Sequence, residues 1–207
     1  ETIDGVSVRT IGANAFNGNW NLIYLTLPEG LTAIEAGAFE SAYQLSFVEF
    51  PSTLKTIGNR AFYNYRGGKL MLPEGLERIG DEAFYRCSVR GTLELPEGLK
   101  EIGDSAFARS IFMRTLDLPS TLEIIGEHAF EDVSLSYVYM DGLTPPKVAK
   151  TAFAECTSLA DIELNEYCTK QQMLDMQAII DEAGLSCRVW RYENTQTSMA
   201  KGASYIY

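Results

Sequence analysis

The sequence predicts an α/β solenoid in which copies of one repeat stack along a single axis. The main observation is an Ala-Phe pair that occurs seven times, with spacings of 22 or 23 residues. An isoleucine or valine stands five positions before each phenylalanine, and a Leu-Pro or Phe-Pro step precedes most copies. One copy has too few apolar residues to form a core, so stacked copies must bury one another's side chains. The seven phenylalanines are Phe16, Phe39, Phe62, Phe84, Phe107, Phe130 and Phe153.

One short parallel strand is predicted in each repeat. Segments such as Leu25-Thr26-Leu27 and Leu93-Glu94-Leu95 alternate apolar and polar residues, which is typical of a strand with one buried face. The proline that follows cannot donate to a strand ladder, so the strand ends there. Seven such strands in parallel would form a sheet about 30 Å wide.

The return side of each repeat is predicted to consist of turns and short 3₁₀ or helical segments. Asp81 and Asp104 follow a glycine and precede Ala-Phe, where a side-chain oxygen can cap a single helical turn. Two departures from the repeat are expected to be local. Gly67 and Arg90 replace an inward leucine, which predicts an irregular start of the strand in the third and fourth copies, and residues 140–146 of the sixth copy predict a bulged turn.

The unit reads L-x-L-P-x-x-L-x-x-I-G-x-x-A-F and resembles the BspA-like, or Treponema pallidum-type, leucine-rich repeat. The resemblance covers about residues 11–164, and the copy from Leu95 to Phe107 fits its consensus almost letter for letter. It implies a leucine-rich-repeat solenoid of a bacterial cell-surface or secreted protein with a role in adhesion. An extracellular or cell-surface location is therefore expected by resemblance.

We predict three parts of the chain: a solenoid of about seven repeats over 1–164, a C-terminal cap over 165–193 and a tail over 194–207. A solenoid needs an atypical end piece to cover its last open layer. The chain starts inside a repeat, with neither Met nor a signal segment, so we expect a processed or trimmed chain.

The predicted cap is a helix followed by a strand. Thr169-Lys170-Gln171-Gln172 forms a capping box that opens a helix reaching about Ala183, with Gly184 as its stop. Residues 187–192 alternate like a strand and predict a final edge strand. The apolar face of the helix is predicted to consist of Met173, Met176, Ile180 and Ala183.

Composition excludes several classes of function. The chain has 17 basic and 28 acidic residues and a net charge of -11, which repels nucleic-acid phosphates and anionic lipids. Its apolar runs are far shorter than the roughly 20 residues that cross a bilayer. We therefore predict no nucleic-acid partner and no membrane insertion.

No enzymatic chemistry is predicted. The single histidine, His128, stands at a slot held in other copies by Asn14, Arg60, Glu82 and Ser105, so we interpret it as an exposed repeat-variable residue. Motifs for phosphate loops, zinc sites and nucleophile elbows are missing from the sequence. We predict no catalytic residues, no cofactor and no metal.

The four cysteines fall into two groups. Cys87 and Cys156 share one repeat slot three repeats apart, well beyond the roughly 7 Å Cα limit for a disulfide, and are predicted to be free, buried thiols. Cys168 and Cys187 flank the terminal helix, and whether they pair is left open.

The strand face is the predicted binding surface, because residues between the inward leucines project from it. Its aromatic residues suit recognition of protein or sugar, and its carboxylates favour a basic partner. We predict a protein partner on a host or other cell surface. The alternatives are a carbohydrate-binding domain that uses Tyr24/Phe47 or Tyr137/Tyr139, a passive spacer, and strand-face residues that only keep the chain soluble. The candidate ligand-binding residues are Tyr24, Phe47, Glu49, Met71, Glu94, Asp117, Tyr137, Tyr139, Asp161 and Glu163.

Overall fold

The computed structural model describes residues 2–3, 6–112 and 114–191, and within them the chain forms a solenoid of stacked parallel strands. The fold class predicted from the sequence is confirmed. The predicted tail, 194–207, lies outside the described residues, as does Tyr192 of the predicted final strand.

The described residues form short strands and one α-helix. In chain order these elements are β1 (Thr2–Ile3), β2 (Val6–Ser7), β3 (Thr10–Ile11), β4 (Tyr24–Thr26), β5 (Ala33–Ile34), β6 (Phe47–Glu49), β7 (Thr56–Ile57), β8 (Arg78–Ile79), β9 (Leu93–Glu94), β10 (Glu101–Ile102), β11 (Thr115–Leu118), β12 (Ile124–Ile125), β13 (Tyr137–Met140), β14 (Lys147–Val148), β15 (Asp161–Leu164), α1 (Lys170–Glu182) and β16 (Arg188–Arg191).

The predicted strands form one side of the solenoid. Strands β4 and β6 pair in parallel, and β9, β11, β13, β15 and β16 form a five-stranded parallel sheet. Equivalent residues of successive repeats lie side by side in these ladders, as Leu93, Leu116 and Val138 do. We call the solvent-exposed side of these strands the strand face.

A second ladder runs through the repeats. In each repeat, the isoleucine or valine five positions before the phenylalanine and the residue before it form a two-residue strand. These strands make a seven-stranded parallel sheet in the order β14-β12-β10-β8-β7-β5-β3. Each of its strands has two residues, as in Glu101–Ile102, which is too short for a period-two pattern to be recognised. The sequence therefore predicted the first ladder and missed the second.

The strand face is irregular where the sequence predicted it. In the third copy only an isolated bridge from Met71 to Glu94 is present among the described residues, and β9 has two residues. The Tyr65 side chain occupies the space that a Cβ at Gly67 would need, and Tyr65 is buried there. A tyrosine thus fills the place of the missing inward leucine, and the backbone beside it leaves the ladder.

The sixth copy departs from the usual turn after the strand. In other copies the N–H of the leucine donates to the proline C=O three residues earlier, as from Leu99 to Pro96 at 3.2 Å. Within residues 140–148, all of which the structure describes, the chain bends without an equivalent bond and has one residue more than the other copies. This agrees with the bulged turn predicted for this copy.

The return side consists of consecutive β-turns in the described residues. In the fourth copy the N–H of Ala83 donates to Gly80 C=O at 3.3 Å, and that of Cys87 donates to Phe84 C=O at 3.2 Å. The third residues of these two turns, Glu82 and Arg86, have φ of 52° and 54°, which a type II turn requires. His128 occupies the same left-handed slot as Glu82, with φ of 56°.

The predicted capping role of Asp81 and Asp104 is wrong. Asp81 Oδ1 accepts a hydrogen bond from the Asp104 N–H at 3.0 Å, and Asp104 Oδ1 accepts one from the Glu127 N–H at 2.7 Å. These carboxylates therefore bind the backbone of the next repeat instead of their own turn, because stacking brings that N–H closest to them.

The core is a column of phenylalanine rings. Consecutive rings of the seven copies stack with centroids 5.2 to 5.6 Å apart and planes within 14° of parallel. The rings from Phe39 to Phe153 are fully buried, and Phe16 at the N-terminal end is half-buried. Leucine and isoleucine columns surround the rings and continue to the cap.

The cap closes the C-terminal end as predicted for its described part. Thr169 and Gln172 form the capping box of α1, and Gly184 with φ of 71° follows the helix. Met173, Met176 and Ile180 are buried, whereas Ala183 is only half-buried. Strand β16 pairs in parallel with β15 and forms the last strand of the sheet.

Candidate functional site

Two rows of side chains run along the strand face. Within each of the two sheets they follow from the parallel register, which places the same outward slot of paired repeats about 4.8 Å apart. Among the described residues no strand pairing joins β6 to the sheet that contains β9, so both rows are interrupted after the second repeat. All ten candidate residues from the sequence analysis lie in these rows. The first row comprises Tyr24, Phe47, Thr115, Tyr137, Asp161 and Arg188. The second row comprises Thr26, Glu49, Met71, Glu94, Asp117, Tyr139, Glu163 and Trp190.

The N-terminal end of the first row is exposed and aromatic. Tyr24 is 74% exposed and Phe47 is 40% exposed. Their ring centroids lie 6.5 Å apart with planes tilted by 49°. Beside them Thr26 donates to Glu49 Oε2 at 3.3 Å. These rings are free to contact a ligand without first breaking a polar bond.

The tyrosines at the other end are held by carboxylates. Tyr137 donates to Glu163, and Tyr139 donates to Asp141 Oδ1 at 3.0 Å. Both rings are half-buried, and partial burial raises the pKa of Glu163. This end of the strand face is rigid, and its aromatic area is smaller than the sequence suggested.

The carboxylates of the strand face are only partly neutralised. Lys69 Nζ lies 2.8 Å from Glu94, and Arg188 lies 2.6 Å from Asp161. In the part of the chain that the structure describes, Glu49, Asp117 and Glu163 have no ion pair. At Glu49, Asp117 and Glu163 the second row therefore presents negative charge that no ion pair among the described residues neutralises, whereas Glu94 is paired with Lys69.

A second exposed aromatic pair was missed by the sequence analysis. Trp20 and Tyr43, which are 68% and 40% exposed, lie in the loops before β4 and β6 with ring centroids 5.5 Å apart. Both occupy the position directly after the slot of Cys87 and Ser110. Comparing this variable slot between copies would have found the pair, because two neighbouring copies carry a large aromatic residue there.

His128 is half-exposed, less than the sequence analysis expected. Its side chain is 41% exposed, and Nδ1 lies 3.1 Å from Glu131 Oε2. Glu131 covers part of the ring because the turn brings residues three apart together. Among the described residues, no group of three or more histidine, cysteine or acidic side chains could hold a metal ion.

All four cysteines are free and buried. The prediction for Cys87 and Cys156 is confirmed, and the structure leaves Cys168 and Cys187 unpaired. Burial raises the pKa of Cys87 and Cys187 to about 12 and that of Cys156 to about 11. Thiolates, the reactive form, are therefore scarce at neutral pH.

The folded protein is accordingly expected to resist a thiol-specific chromogenic reagent such as Ellman's reagent at neutral pH. All four thiols should react rapidly once the chain is unfolded in guanidinium chloride. The measurement is the number of equivalents released with and without denaturant. A thiol that reacts quickly in the native protein would contradict the buried placement of that cysteine.

The described ranges contain no helix whose length and apolar content would let it cross a bilayer.

Comparisons with known proteins identify the repeat. A family model described as BspA type leucine rich repeat region matches in six copies, over residues 9–136 and 91–173. No curated protein matches the sequence significantly.

Three solved structures with low sequence identity are similar to this chain. A leucine-rich repeat protein from Bacteroides ovatus ATCC 8483 is 19% identical, with a TM-score of 0.35, over 77% of this chain and 59% of that one. The T. pallidum leucine-rich repeat protein is 18% identical, with a TM-score of 0.47, over 86% and 79%. A leucine-rich cell surface protein from Faecalibacterium prausnitzii A2-165 is 15% identical, with a TM-score of 0.44, over 97% and 74%. The chain thus matches 59% of the length of the B. ovatus protein.

Proposed function

Because this chain belongs to the BspA-type leucine-rich repeat family, we propose that it is a non-enzymatic recognition module that binds a protein partner through its strand face. Leucine-rich repeat proteins generally mediate protein interactions, and solenoids present extended surfaces for that purpose. The module acts in adhesion, at a bacterial cell surface or as a secreted protein, and its partner lies on a host or another cell.

The observation that carries this proposal is the unpaired negative charge on a rigid sheet. Glu49, Asp117 and Glu163 project from backbone held by parallel ladders, so little conformational entropy is lost on binding. Charge of one sign steers a partner of the opposite sign and disfavours others. The partner therefore presents a basic surface to the second row.

Reversal of two of these charges is expected to weaken binding. The test is an array of immobilised extracellular-matrix proteins probed with the purified chain at several salt concentrations. A Glu49→Lys/Asp117→Lys variant should bind about tenfold more weakly and with a smaller salt dependence than the unchanged protein, because attraction to a basic partner becomes repulsion.

The matched control changes the same net charge on the return side. Asp132→Lys/Glu155→Lys replaces two exposed acids far from the strand face and should bind like the unchanged protein. Equal loss in both variants would show that only overall charge matters. If the unchanged protein bound to none of the proteins on the array, the result would favour a passive spacer and reject the proposal.

A further inference from the structure

We infer that the first two repeats also bind a short neutral oligosaccharide, at a patch where exposed aromatic rings surround exposed amides. We call it the aromatic–amide patch, and it comprises Trp20, Asn21, Tyr24, Tyr43, Gln44 and Phe47. It overlaps the strand face only at Tyr24 and Phe47, and it does not depend on the acidic row.

The rings of the patch are arranged as two platforms. Trp20 and Tyr43 form one pair at 5.5 Å, and Tyr24 and Phe47 form the other at 6.5 Å. Tyr24 follows Trp20 by four residues, so their Cα atoms lie at most about 14 Å apart. An oligosaccharide of a few sugar units is long enough to reach from one platform to the other.

The backbone holds both platforms in place without a ligand. Strands β4 and β6 pair in register, and the Ser46 N–H donates to Ile23 C=O at 2.9 Å between the two pairs. Aromatic side chains have few rotatable bonds, so little entropy is lost when a ligand covers them. The patch is therefore pre-organised for binding.

The side chains of the patch are complementary to a neutral polar ligand that has apolar faces. The C–H groups of a pyranose ring pack on the electron-rich face of an aromatic ring. The side-chain amides of Asn21 and Gln44 are exposed and have no hydrogen-bond partner among the described residues, and each offers donors and an acceptor to sugar hydroxyls.

The charge pattern points away from other ligands. No charged residue occurs from Thr10 to Pro28 or from Ser41 to Val48, in a chain whose net charge is -11. A basic peptide would find no carboxylate within these segments, since Glu49 lies at the edge of the patch and already accepts a hydrogen bond from Thr26. A phosphorylated or acidic ligand would meet a repulsive field. A neutral sugar chain needs no ion pair and is not repelled by the net negative charge.

The test is affinity gel electrophoresis of the purified chain in native gels that contain a neutral polysaccharide. Separate gels carry mixed-linkage β-glucan, xylan or galactomannan. Further gels carry heparin or polygalacturonate and test whether acidic polymers bind. We expect at least one neutral polysaccharide to retard the chain. Trp20→Ala should weaken that interaction about tenfold, because a stacking contact of this size is lost.

Ile111→Ala is the matched control. Ile111 occupies the Trp20 slot in the fifth copy and is 67% exposed, so its loss removes similar apolar area without removing an aromatic platform. Ile111→Ala should be retarded like the unchanged protein, and the melting temperatures of both variants should equal that of the unchanged protein. Equal losses in the two variants, or no loss in Trp20→Ala, would overturn the inference.

A fluorescence measurement gives an independent readout. The chain has two tryptophans, so a Trp190→Phe background leaves Trp20 as the only tryptophan, which is excited selectively at wavelengths that tyrosine does not absorb. Hexasaccharides of the retarding polysaccharide should shift its emission to shorter wavelength as a sugar ring covers the indole. Retardation by none of the neutral polysaccharides would overturn the inference. So would a Trp20→Ala variant that loses binding only to a matrix protein, since the patch would then be a protein contact.

Discussion

Replacing Phe107 with alanine is expected to lower the free energy of unfolding by about 3 to 5 kcal/mol. The ring is fully buried and stacks on Phe84 at 5.3 Å and on Phe130 at 5.6 Å. Phe112 also packs edge-on against it at 6.4 Å. Alanine would leave a cavity that rigid neighbouring repeats cannot fill, and the column would be cut in its middle. Equilibrium unfolding in urea, followed by circular dichroism, measures the loss.

The same substitution at the end of the column is the control. Phe16 is half-buried and has one stacking neighbour, Phe39, so Phe16→Ala should cost clearly less than Phe107→Ala. Below its melting temperature, the Phe107→Ala protein should bind any strand-face ligand normally, because the ring does not reach that surface. A Phe107→Ala variant that melts like the unchanged protein would contradict the column as the source of stability.

The elements that the sequence predicted are those that each copy encodes by itself. The slot of Phe107 and the alternation around Leu93 recur in successive copies, so the pattern can be recognised even where a single copy departs from it. The cap was also predictable, because Thr169 and Gln172 form their capping contacts within four consecutive residues. In each case the residues that interact are close in sequence or identical between copies.

The elements that the sequence missed depend on pairs of residues in different copies. Asp104 has the residue type and the position typical of a helix cap, but its partner is the N–H of Glu127, 23 residues later. The second ladder likewise consists of two-residue segments that become strands only when stacked. Sequence patterns within one copy contain no information about such partners until the stacking distance is known.

The sequence predicted which face of the strands the ten candidate residues share, but not how exposed each of them is. Alternation along the strands assigned all ten residues to one face, which the register of the two sheets and the Met71–Glu94 bridge reproduce. Exposure was not predictable, because it depends on neighbours in other strands: Tyr137 is half-buried against Glu163, whereas Tyr24 is largely free. Trp20 was missed because it lies outside the strand.

Replacing Gly103 with alanine is expected to destabilise the protein by roughly 1 to 3 kcal/mol, although the glycine lies in a turn where many sequences tolerate alanine. An added Cβ would lie 2.5 Å from Asp81 Oδ1 and 2.8 Å from the Asp81 backbone nitrogen. That oxygen accepts the Asp104 N–H, so the methyl group would displace the contact between repeats as well as crowd the backbone. Thermal unfolding by calorimetry measures the effect.

Gly12 supplies a matched control, because it occupies the same slot in the first copy and a Cβ there would meet nothing within 4 Å. Gly12→Ala should be neutral or slightly stabilising, since alanine restricts the unfolded chain. Ala149 occupies the slot in the seventh copy, where Glu127 replaces the aspartate of the preceding repeat, so the aspartate side chain is part of the obstacle. Gly103→Ala should therefore cost less in an Asp81→Ala background, and a double-mutant cycle isolates that coupling. Equal costs at Gly12 and Gly103 would show that close stacking of the repeats does not select glycine at this slot.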